Sequence, residues 1–126
     1  MSGVGAVTAS EARLIALTAE AVRGPSRDGL YAVWLTVRAA EAVLPPFPVS
    51  LKNHRRRLVA LEHRLGGLAL PAPLKRALAA ARAQLEPGTP AAAALALAQL
   101  VAPCREVLGA AAGEAVAAAA RDARIH

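Results

Sequence analysis

Residues 28–68 read DGLYAVWLTVRAAEAVLPPFPVSLKNHRRRLVALEHRLGGL, and the fold turns on this stretch. Projected at about 100° per residue, its first half places Leu30, Val33, Trp34, Val37 and Leu44 on one broad face, with Tyr31 and Leu35 on the other side. A helix that is apolar nearly all round is a central helix, packed against several others. It carries the only Trp and the only Tyr of the chain. Both read as core anchors, each with one polar atom reaching a partner. Pro45-Pro46-Phe47-Pro48 then forces an extended connector, because proline fixes φ and removes backbone donors. Beyond it Leu51, Leu58 and Leu65 recur at seven, and His54, Leu61 and Leu68 recur beside them, an apolar stripe with His54 in one slot. The rest of that helix is Lys52, Asn53, Arg55, Arg56, Arg57, His63 and Arg64, with Glu62 its only acid.

Helix punctuation continues outward in both directions, and no run alternates apolar and polar as a strand would. Thr8 with Glu11 reads as a capping box, and Gly24-Pro25 as the stop of a first helix. Ser26 or Asp28 is expected to cap the second helix and Ser50 the third, which ends at Gly66-Gly67. Pro73 opens a fourth, Pro87-Gly88 closes it, and Thr89-Pro90 opens a fifth. Pro103 removes the hydrogen bond to the carbonyl of Gln99, which predicts a kink or a new helix start there. The expected helices are 8–23, 28–44, 50–65, 73–86, 90–102 and 104–124, the last open to a break near 109–113. Residues 1–7 are expected as a flexible end. The predicted fold is all-α: one compact bundle of five to six short antiparallel helices, occupying 8–126.

With 126 residues the chain fits one domain. A hydrophobic fraction of 56% excludes intrinsic disorder, and a single Cys excludes a disulfide scaffold or a zinc finger. The 34 Ala make much of that fraction methyl groups, so the core is expected to be leucine and alanine. The first seven residues have neither a basic nor an apolar region of a signal peptide. Leu30–Leu44 is interrupted by Arg38 and Glu41, and Ala91–Ala102 is too short to span a bilayer. The expected setting is therefore the cytoplasm, without membrane contact. Cys104 reads as a small buried apolar residue there.

Fifteen Lys and Arg against nine Asp and Glu give a formal charge of +6. Four of the cations, Lys52, Arg55, Arg56 and Arg57, fall in the first two turns of helix three, where the helix dipole disfavours them. That placement predicts an anion or partner site at Lys52, Arg55, Arg56, Arg57, His63 and Arg64, with Lys52, Arg56 and His63 on one flank and Arg57 and Arg64 on the other. The competing reading is a solvated face neutralised by nearby Glu. If helices two and three fold back across the connector, Leu44 lies opposite Ser50, and Glu41 is expected to pair with His54 or with one of Arg55–Arg57.

No catalytic residues, metal ligands or cofactor are expected. His54 and His63 project to opposite sides of one helix, and no phosphate loop or Ser–base pair is present. The small residues Gly109, Gly113 and Ala117 predict that the Ala-rich last helix either docks closely on the domain or forms a contact between copies; the competing reading is a frayed terminus. The expected function is a non-enzymatic helical interaction module, self-association open, whose basic helix engages an acidic protein partner or other anion. The alternative is a subunit that binds the phosphate backbone of nucleic acid within a larger complex. Without aromatics between the arginines, sequence-specific reading is not expected.

Overall fold

The computed structural model describes residues 7–125. These form six helices in chain order: α1 (Ala9–Glu20), α2 (Pro25–Glu41), α3 (Leu51–Gly66), α4 (Ala72–Gln84), α5 (Pro90–Leu108) and α6 (Ala110–Arg124). Except for Val7, the end expected to be flexible lies outside the described residues, as does His126. The helices pack as an all-α bundle, with no strand among the described residues.

Three of the helices begin on the hydroxyl residues that the sequence offers for the purpose. Thr8 accepts from the backbone N–H of Glu11 at 3.2 Å, Ser50 from that of Asn53 at 3.2 Å, and Thr89 from that of Ala92 at 3.2 Å. Each satisfies one of the N–H groups left without an intrahelical partner. α2 departs from expectation. It starts at Pro25, with Gly24 at the cap position and no side-chain cap, rather than at Ser26 or Asp28. Proline at the first position needs no N–H partner and has φ already set for a helix. Asp28 instead lies in the first turn and accepts from the backbone N–H of Ala69 at 3.3 Å, tying α2 to the segment before α4. α1 correspondingly stops at Glu20, short of 23, and α2 at Glu41, short of 44; Leu44 continues only as a turn, its N–H bonding Glu41 O.

α2 is the central helix: it packs against all five others. Leu30, Ala32, Val33, Val37, Ala39 and Ala40 are buried along it, which is why its sequence is apolar nearly all round. The largest fully buried side chains elsewhere are leucines, among them Leu14, Leu58, Leu74, Leu78, Leu97 and Leu100.

α5 continues through Pro103 to Leu108, so residues expected to form a separate helix from 104 belong to it. Leu100 and Cys104, on either side of the proline, are both buried, while Gln99, whose carbonyl loses its partner, is exposed to water. Burial holds the helix together where propensity would break it. The continuous helix also extends the apolar run of 91–102. At 19 residues and a mean hydropathy of 1.4, α5 is long and apolar enough to cross a bilayer, by length and composition. In the bundle it packs against α2, α4 and α6.

The break falls at Gly109, whose φ of 100° is open to glycine and strained for other residues. α6 then folds back along α5 in the most extensive helix pair of the molecule. A Cβ at Gly113 would stand 2.7 Å from Arg105 Cβ and 3.1 Å from its Cα, so only glycine allows this approach. Ala112, Ala115, Val116, Ala119 and Ala123 are buried on the same face. The helix thus docks on its own domain, one of the fates expected for it.

Candidate functional site

α2 and α3 form an antiparallel hairpin across the proline connector. Its register is set by Arg64, which donates from Nη1 to the hydroxyl of Tyr31. One residue forward on α3 answers one back on α2. Leu35 therefore lies beside Ala60 and Leu61, and Arg38 near Arg57, around an open groove of about 300 Å³. Leu35, Ala39, Ala60 and Leu61 form its floor; Arg38, Arg57 and Arg64 line its walls. Ala39 and Ala60 leave the trough unfilled, because a methyl group is all that either projects into it.

Two of the three guanidinium groups are held by neutral partners. Arg38 stacks over Trp34 with Cζ 5.9 Å from the ring centroid, within the range of a cation–π contact. Arg64 is held by Tyr31, whose ring packs on Trp34 at 5.7 Å between centroids. These contacts fix position without neutralising charge. Among the described residues the ion pairs are Arg82 with Glu62, Arg82 with Glu86, and Arg121 with Glu114. None involves a groove arginine, and the one acid of α3 is turned to α4.

The six residues expected to form a basic site divide between two faces. Arg57 and Arg64 enter the groove. Lys52, Arg55, Arg56 and His63 are all exposed but line no part of it; projection puts Lys52, Arg56 and His63 on the outward face of α3. The third groove cation, Arg38, comes from α2, where the sequence marks it only as an interruption in an apolar run.

The expected pairing of Glu41 with His54 is not formed, and neither is one with Arg55–Arg57. Glu41 accepts from the hydroxyl of Thr8 at 3.0 Å. The same hydroxyl lies 3.5 Å from Glu11 Oε2, and Trp34 Nε1 donates to Glu11 Oε1 at 3.3 Å. The reason is helical phase. Glu41 lies seven residues after Trp34 and so keeps to the line that meets the start of α1, while Arg38 is rotated about 60° from Glu41, toward the α3 side. Thr8 has one proton for two carboxylates. Burial first, then the neighbouring Glu11 and Asp122, push the Glu41 carboxyl up to about 7, against the hydrogen bond from Thr8.

His54 is fully buried, as its place in the stripe implies, and its Nε2 lies 2.6 Å from the carbonyl of Leu85. A carbonyl only accepts, so Nε2 carries the proton and Nδ1 is left buried without a partner. It ties α3 to the end of α4. Cys104 is fully buried, and desolvation pushes its thiol up to about 12, far from the thiolate form that reacts. No group of three or more His, Cys, Asp or Glu is placed to hold a metal ion among the described residues. The chain matches no protein-family model, no curated protein and no solved structure.

Proposed function

We propose that this chain is a non-enzymatic helical docking module that binds an acidic protein surface through the α2/α3 groove. The observation that carries this reading is the set of Arg38, Arg57 and Arg64 around an apolar floor, with Arg38 held by Trp34 and Arg64 by Tyr31, and none with a carboxylate partner among the described residues. Arginines positioned before binding lose little conformational freedom on meeting a carboxylate, and their planar forks suit it in two-point contact. The outward cations Lys52 and Arg56 add long-range attraction, which raises association rate more than affinity.

The test is binding to polyglutamate and to random-sequence DNA, single- and double-stranded, at about 50 and 200 mM salt. Polyglutamate is expected to bind the wild type about tenfold more tightly than it binds the Arg57→Ala/Arg64→Ala double variant, with Arg76→Ala and Arg124→Ala near wild type. Equal losses for every arginine would reduce the surface to a general positive charge. DNA binding with a steep salt slope that flattens when Arg55, Arg56 and Arg57 become Ala would favour a phosphate backbone as the natural partner.

A further inference from the structure

We infer that the natural occupant of the α2/α3 groove is an acidic amphipathic helix of another protein, with two carboxylates two turns apart and apolar side chains between them. This inference rests on the docking function proposed above and specifies the partner. Arg57 and Arg64 are seven residues apart on one face of α3, a separation of about 10.5 Å along the axis. A partner helix lying along α3 presents the same interval between residues i and i+7. Its residues i+3 and i+4 then fall over Leu35, Ala39, Ala60 and Leu61. Two antiparallel helices with alanines facing the trough offer the close approach that a third helix needs, with axes about 8–10 Å apart. Arg38, on the opposite wall near Arg57, makes one end of the groove doubly basic and so gives the bound helix a direction.

The charge pattern selects against the other occupants. A second copy of this chain has no suitable helix, because none of its nine Asp and Glu are seven residues apart. It also brings the same net positive charge. For a nucleic acid strand, the nearby rings are already engaged, Trp34 under Arg38 and Tyr31 on Arg64, and no ring of the groove is left to stack a base. An apolar floor between the cations adds nothing to a phosphate backbone, but it suits the leucine face of a helix.

The experiment uses the full chain and a fluorescein-labelled peptide of about 20 residues, long enough to form a helix, with Glu at i and i+7 and Leu at i+3 and i+4. A permuted peptide keeps its composition and breaks that spacing. Random single- and double-stranded DNA are titrated in parallel. By fluorescence anisotropy the patterned peptide is expected to bind at least about tenfold more tightly than the permuted one. Arg57→Glu and Arg64→Glu weaken it about tenfold or more, and Arg76→Glu leaves it unchanged. Ala60→Glu, which puts a carboxylate into the trough and leaves all three arginines intact, blocks the patterned peptide to the same extent. Equal binding of the two peptides, both lost in the arginine variants, would overturn the helix inference and leave the docking function standing. Tighter binding of DNA than of either peptide would overturn it in favour of nucleic acid. Binding of neither peptide nor DNA, even at low salt, would overturn both.

Discussion

Glu41 carries the clearest pH prediction, because burial beside Glu11 and Asp122 favours its protonated form. Folding raises its carboxyl from an ordinary value near 4.5 to about 7, so the folded chain holds the carboxyl proton more tightly than the unfolded one. The stability tied to that proton is fully present below pH 4.5 and is lost as pH climbs through about 7. Since Glu41 is partly open to water, the fall is about 1 kcal/mol rather than the full value of the shift. Urea unfolding followed by the fluorescence of Trp34, the only Trp, measures it directly. Wild type is expected to be more stable at pH 5 than at pH 8, and Glu41→Gln to flatten that difference. An unchanged slope in Glu41→Gln would contradict the burial of this carboxyl beside Glu11 and Asp122. The identity of Glu41 as a polar residue on an apolar face is legible in the sequence. Its partner is not, since period alone places a residue on a face without saying which neighbour covers that face. Arg38 is the same case reversed: a charge within an apolar helix reads as a defect until the hairpin brings Arg57 and Arg64 beside it.

At the scale of the element, side-chain caps are the most legible feature, because Thr8, Ser50 and Thr89 act within three residues of themselves. Pro103 is the least legible, since its effect depends on the burial of its neighbours Leu100 and Cys104. The continuous α5 predicts that Pro103→Ala stabilises the protein by about 1–3 kcal/mol, by restoring the bond to Gln99. A proline at the start of a helix would give no such gain, so a neutral or destabilising result by thermal unfolding would put the break at 103 after all. The α5/α6 contact predicts the opposite sign for Gly113→Ala. Its new methyl group meets the backbone of Arg105 as well as its side chain, and about 1–3 kcal/mol is lost as the helices part. An unchanged denaturation midpoint would mean that the two helices do not meet this closely.

Across the whole molecule, the all-α bundle follows from local signals that agree with one another: caps, breakers, apolar faces and short turns. What they leave open is how the helices are arranged, since an Ala-Leu core tolerates several packings and is less specific than an aromatic one. That arrangement decides two functional matters. It seals the small-residue face of α6 inside the chain, where Ala112, Ala115, Val116 and Ala119 are expected to exchange their amide protons slowly. Rapid exchange across 110–124 would contradict this docking. It also leaves one flank of α2 uncovered beside α3, which creates the arginine groove. The decisive measurement is NMR of the arginine side-chain Nε–Hε groups while the patterned acidic peptide is added. Arg38, Arg57 and Arg64 are expected to shift first and saturate together, with Arg13, Arg23, Arg76 and Arg124 little changed. Equal, unsaturated shifts across all the arginines, or none at the three groove positions, would contradict docking in the groove.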